Sequence, residues 1–298
     1  MTRSCVSILL VITAGLTSPL YGQFFDTKIE EVKTHLIGSI RSAIEDTTTI
    51  PASPQKAKLA VREPRPFMDA VLQHEEKRLL KELDENFGIE TADVKQRILL
   101  KSSVRRSILS IEESVPESVA KRVRRSLARD FNLTGVHFSA DQDDDIASCG
   151  CDRNIILHKY FNDFAAPAQD AVIGHESFHA QYEDKKVTQA LQSLLNEGTK
   201  DAEHDAVDKA DAFFKKWCRF IEMRADMKTA AVAEQYAHGL VLANEQLLRT
   251  CGDAGSRLHP RNSRRVDASK KAYDLQQLLR LKQTRAAAAQ TIAKILNG

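Results

Sequence analysis

The chain has 298 residues, of which 42% are hydrophobic and 28% charged, which is enough apolar side chain to fill a core and rules out disorder throughout. Its 43 basic and 41 acidic residues nearly cancel, leaving a formal net charge of +2. So weak a global field gives no reason to expect a nucleic acid or an acidic membrane as partner, and function has to be sought in local sites.

At the N-terminus Arg3 forms a short basic region, Val6 to Leu16 an apolar run, and small residues lie near Gly22. This is the pattern of an export signal over 1–22, with the mature chain starting near Gln23. Leu20 stands where a small residue is preferred, so an uncleaved N-terminal anchor is the alternative. The apolar run is too short for a transmembrane helix, and no later uncharged apolar stretch of about 18 residues occurs. The expectation is an exported chain, secreted or periplasmic, with no integral membrane segment in its mature part.

Cys5 falls in the signal, leaving Cys149, Cys151, Cys218 and Cys251, an even count that suits two disulfides in an exported chain. Cys149 and Cys151 are too close to pair comfortably, so each is expected to reach Cys218 or Cys251, in an order the sequence leaves open. Four unpaired thiols are the alternative.

Ile29, Val32, Leu36, Ile40 and Ile44 recur at helical spacing between Asp26 and Asp46 and predict an amphipathic helix. Pro51, Pro54, Pro64 and Pro66 then break regular structure. Two helices follow, near Phe67 to Asn86 and Thr91 to Ile111, with a turn at Gly88 between them. Pro116 opens another, with Val119, Val123 and Leu127 on one face. Its Lys121, Arg122, Arg124, Arg125 and Arg129 read as a solvated face. Arg122-Val123-Arg124-Arg125 also has the dibasic form of a convertase cleavage site, which would make 23–125 a propeptide. Nucleic-acid binding is disfavoured, because no aromatics interleave the basic residues and an export signal precedes them.

Residues 23–130 are thus a helical N-terminal region, accessory or propeptide, ahead of a second unit over 131–298. Strand signals begin there, at Leu133 to Phe138 and Asn154 to Leu157. Asp141, Asp143, Asp144 and Asp145 lie between them, but Ile146 replaces the glycine a calcium loop would want, so a solvated turn is expected. Asn132-Leu133-Thr134 is an acceptor triplet for an N-glycan.

The chemistry concentrates in Gly174-His175-Glu176-Ser177-Phe178-His179. On a helix, residues four apart project from one face, so His175 and His179 can bind one zinc ion. Glu176 lies one residue round, where its carboxylate can take the proton of a zinc-bound water. A third ligand is needed, and Glu222 and Asp226, also four apart, offer carboxylates on a later helix. Val172, Ile173 and Phe178 would pack the first helix into the core.

These motifs resemble the gluzincin metallopeptidases that include the CAAX prenyl endopeptidases, the heat-shock protease HtpX and soluble periplasmic relatives. The resemblance spans roughly residues 130 to 270. It implies that His175, His179 and Glu222 are the zinc ligands, one Zn2+ per chain, that Glu176 is the general base, and that Asp226 orients a ligand histidine. The family's His-Pro pair with an arginine six residues after the histidine is matched by His259-Pro260 and Arg265. This gives His259 the role of steadying an oxyanion and Arg265 that of supporting the ligand shell. Ser177, Phe178 and Leu258 depart from the residues usual at their positions, and no family membrane helices are present, so prenylated substrates are not implied.

The expected fold is α+β, predominantly helical and zincin-like, with a small sheet packed on the HExxH helix. In such folds the edge strand before that helix pairs with an extended substrate, which makes Asn154, Ile155, Ile156 and Leu157 the expected substrate-binding residues. The expected activity is a zinc-dependent endopeptidase acting on protein or peptide substrates. The alternatives are a catalytically silent gluzincin-like domain and a helical partner-binding protein of the export pathway.

Overall fold

Apolar side chains at helical spacing account for most of the architecture, which is predominantly helical with one small mixed sheet. The computed structural model describes residues 19–46, 64–94, 109–139, 146–150, 154–200, 202–253 and 258–297. Helix α1 (Pro19–Glu45) buries Ile29, Leu36, Ile40 and Ile44, the stripe its sequence predicts. Helix α2 (Pro64–Phe87) buries Phe67, Met68, Val71, Leu72, Leu79 and Leu83. Pro64 opens this helix, as proline can where the first-turn N–H groups have no intrahelical partner.

Four short strands and a broken helix follow. Strand β1 is Ser110–Ile111, and helix α3 runs over Glu117–Arg122, through a π-helical turn at Val123–Leu127, to a last turn at Ala128–Asp130. Strands β2 (Gly135–Phe138), β3 (Ala147–Cys149) and β4 (Asn154–Leu157) complete the sheet in the order β1-β2-β4-β3. β2 is parallel to β1 and β4, and β3 is antiparallel to β4. A 3-10 turn at Lys159–Asp163 leads to helices α4 (Ala166–Gln181), α5 (Asp184–Gly198), α6 (His204–Val232), α7 (Glu234–Cys251) and α8 (Asn262–Asn297).

Two apolar cores meet at α4. The larger joins α1 and α2 to Phe213, Trp217 and Phe220 of α6 and to Ala272 and Leu275 of α8. The smaller joins α3 and the sheet to Ile173 and Phe178 of α4 and Tyr236 of α7. Ala171 belongs to the first, so α4 is clamped from both sides. The N-terminal helices are therefore packed into one core with α6 and α8. Leu36, Ile40, Leu79 and Leu83 are fully buried there, each contributing about 2 kcal/mol by leaving water.

The helix expected to run to Ile111 stops short, because Ser110 and Ile111 are committed to the sheet: the Ser110 N–H donates to the Thr134 carbonyl and the Glu112 N–H to that of Val136. Its described part is Thr91–Val94, and residues 95–108 lie outside the described residues. Asn154 to Leu157 form a strand as expected, but not an edge strand. β4 is paired on both sides, by β2 and β3, so its backbone has no free side for a substrate, and the sheet edge that packs on α4 is β3. The expected disulfides are also absent among the described residues: Cys218 is buried in the larger core, Cys149 lies on β3 and Cys251 ends α7 exposed. Cys151, the acidic turn at 141–145, the apolar run of the expected signal, Pro51 and Pro54 lie outside the described residues.

The basic cluster on α3 is partly engaged. Arg122 donates to Asp170 and Gln169 of α4, while Arg124 and Arg125 are exposed within the π-helical turn. Among the described residues no helix is long and apolar enough to cross a membrane.

Candidate metal centre

Helix α4 carries the HExxH segment, and two glycines fix how it is seated. A Cβ on Gly174 would fall 2.5 Å from the Phe131 ring, and one on Gly239 of α7 would fall 2.2 Å from the Pro167 carbonyl. Both helices are thus held at distances that only glycine permits. With α4 so placed, His175 and His179 face α6, which presents Glu222.

The ligand atoms converge. His175 Nε2 and His179 Nε2 lie 2.9 Å apart, and each lies 3.4 Å from an oxygen of Glu222. Ligand atoms around one tetrahedral metal ion with bonds of about 2.0–2.1 Å sit roughly 3.3–3.4 Å from one another, a spacing that both histidine–Glu222 distances match while the two imidazoles lie closer together. The other ring nitrogens point the same way. His175 Nδ1 is 2.8 Å from Asp226 Oδ1 and His179 Nδ1 is 2.9 Å from Asp184 Oδ2. Each carboxylate accepts from Nδ1–H, which turns both Nε2 atoms toward Glu222. The three residues could hold a metal ion, with both imidazoles buried and Glu222 nearly so.

Both orienting carboxylates are themselves held. Arg265 of α8 donates twice to Asp226, from Nε and Nη2, each at 2.9 Å. Arg224 of α6 donates from Nη2 to Asp184. Burial opposes ionisation of Asp226, but Arg265 and His175 outweigh it and keep the carboxyl below its usual value. Burial also opposes charge on His175, yet Asp226 and Glu222 raise it to about 10. In the metal-free protein His175 therefore carries, opposite Asp226 and Glu222, a proton that a metal has to displace.

Glu176 lies 3.9 Å from His175 Nε2, outside bonding range of the cluster but beside it. Its burial raises the carboxyl above the usual range, and the adjacent histidines offset this only in part. That is the direction a general base needs if it is to hold a proton during turnover. His259 enters from the loop before α8, half-exposed, with Nε2 3.5 Å from Glu222 Oε1.

Apart from Asp226 and Arg224, these groups line one cleft of about 870 Å³. Ile146 to Cys149, the edge strand and the residue before it, form part of its wall, with Phe164, Val172, Leu240 and Leu247 making an apolar side. None of Asn154 to Leu157 lines it, which follows from β4 lying behind β3. His158 is buried against Ser148 and does not line the cleft either.

The structure thus brings together His175, Glu176, His179, Glu222, Asp226, His259 and Arg265. The sequence reading missed Asp184 and Arg224. Asp184 looks like an ordinary acidic first-turn residue of α5, and Arg224 sits unmarked between Glu222 and Asp226. The one available signal was an aspartate five residues after His179, just past the end of its helix.

Comparisons of the chain with family models, with curated proteins and with solved structures give no significant match.

Proposed function

We propose that the chain is a zinc-dependent endopeptidase of gluzincin type that hydrolyses extended or flexible protein segments outside the cytoplasm. The observation that carries this reading is the convergence of two imidazole Nε2 atoms and the Glu222 carboxylate, within 4.8 Å of one another, beside Glu176 in a cleft. A bound zinc ion supplies Lewis acidity there, polarising a carbonyl and acidifying water.

The protein's own groups do the rest. Glu176, beside the ligand histidines, accepts the proton of the attacking water and hands it to the leaving amine. His259, across Glu222 from the ligand histidines, donates to the oxyanion that forms when the carbonyl is attacked. Asp226 and Arg265 keep His175 aimed while charge changes hands. Among the described residues β3 is the edge strand of the sheet and lies in the cleft wall, so an extended substrate can add to it as a further strand. This assigns to Ala147–Cys149 the role first expected of Asn154–Leu157.

Elemental analysis of the purified protein tests the reading. About one zinc per chain is expected, lost in His179→Ala and Glu222→Ala. Casein cleavage should vanish in a chelator and return with zinc. Glu176→Gln should keep its zinc and lose activity by several orders of magnitude. A protein that takes up no zinc, or cleaves equally well in chelator, would sink the proposal.

A further inference from the structure

Each ligand histidine is backed in the same way, by an aspartate on Nδ1 and an arginine on the aspartate. For His175 the series ends with Arg265 in α8. For His179 it runs outward. Asp184 Oδ1 accepts from Arg224 Nη2, and Arg224 Nη1 donates to Glu76 Oε1 at 3.0 Å. Glu76 belongs to α2, in the N-terminal region.

Local structure fixes this path. Glu183 takes a left-handed conformation, φ 53 and ψ 36, at the junction of α4 and α5. This costs a non-glycine residue roughly 1 kcal/mol, and the turn it makes sets Asp184 beside His179. The Arg224 guanidinium lies 4.2 Å from the Tyr182 ring centre and 5.2 Å from that of Phe220, which hold it between them. A second pair from α2, Asp69 with Lys228 at 2.6 Å, lies on the same ring, with Lys228 Nζ 5.6 Å from its centre. Asp184 and Arg224 are almost wholly buried, and Glu76 is 37% exposed.

We propose that Asp184, Arg224 and Glu76 are positioning residues that tie the affinity of the metal centre to the docking of α2. Helix α2 is then a standing support of the centre, not a segment to be shed. Without it Arg224 would lose one of its two carboxylate partners and could swing away from Asp184, which would release the His179 ring. The inference rests on the proposed zinc site but is read from zinc affinity, not from peptidase activity.

The test is a double-mutant cycle on the full chain, with zinc affinity measured by competition against a chromophoric chelator. D184N should weaken zinc about 10- to 100-fold, as loss of a carboxylate behind a ligand histidine does. E76Q should weaken it about 2- to 5-fold, the worth of a half-exposed ion pair, with the melting temperature of the metal-free protein unchanged. In the D184N background E76Q should have no further effect, because the link is already cut. If D184N does not fold, R224K takes its place, since a lysine cannot bridge both carboxylates as the guanidinium fork does.

An E76Q protein with wild-type zinc affinity, or one weakened by the same factor in both backgrounds, would overturn the link and leave the zinc site standing. A wild-type protein that binds no zinc would overturn the centre and the link together.

Discussion

Adding one methyl group to Gly174, the residue before His175, tests how α4 is seated. The alanine Cβ would meet Phe131 Cζ at 2.5 Å, Phe131 Cε1 at 2.7 Å and Thr229 Cγ2 at 2.9 Å. Neither neighbour has room to retreat. Phe131 is fully buried, with the Tyr236 ring centre 4.6 Å away and that of Phe178 6.1 Å away. Thr229 is fully buried on α6. Overpacking against such neighbours costs about 2–3 kcal/mol, and the higher helix propensity of alanine returns about 1 kcal/mol. The net loss is about 1–2 kcal/mol, a fall in melting temperature of about 2–6 °C in a chain of this size.

Urea unfolding of the metal-free Gly174→Ala protein at neutral pH measures the stability change directly. Zinc affinity should fall with it, because the movement that relieves the clash pushes α4 away from α6, the helix that carries Glu222. A variant more stable than wild type, as propensity alone requires, would refute the close packing of Gly174 on Phe131.

Asp226→Asn should weaken zinc about 10- to 100-fold and destabilise the metal-free protein by about 3 kcal/mol, since the buried Arg265 then loses the carboxylate it bonds twice and keeps only the more distant Glu222. Unchanged zinc affinity in a titration would show that Asp226 does not orient His175. His259→Ala should lower kcat about 100- to 1,000-fold with its zinc content intact; steady-state kinetics showing a change in KM alone would place His259 in substrate binding instead. Glu75 is buried between Arg41 and Arg78, and although burial opposes its charge, the two guanidinium groups hold its carboxyl below 4.5. Its folded value lies below the unfolded one, so its contribution is complete above about pH 4.5 and is lost as pH falls through the folded value. Glu75→Gln should therefore cost roughly 3 kcal/mol at pH 7, with the gap to wild type narrowing as the pH falls below about 4.5. A gap that stays constant down to pH 3 would refute the ion pair.

The sequence by itself carried the parts of the site that depend on local spacing. Four-residue intervals put His175 with His179, and Glu222 with Asp226, each on one helix face, and the period of Ile29, Leu36, Ile40 and Ile44 predicted the buried stripe of α1. His259 and Arg265 were reached only through the resemblance to a family. The tertiary structure decided which partners meet. Asp184 backs His179 because of a left-handed turn at Glu183, a conformation no residue pattern announces there. Glu76 reaches the same centre only because α2 packs on α6. Strand order behaved likewise: Asn154 to Leu157 was legible as a strand, but its place between β2 and β3 was not. Periodicity along a chain records which face of an element is apolar, whereas the identity of the element that covers that face is set by packing between distant segments.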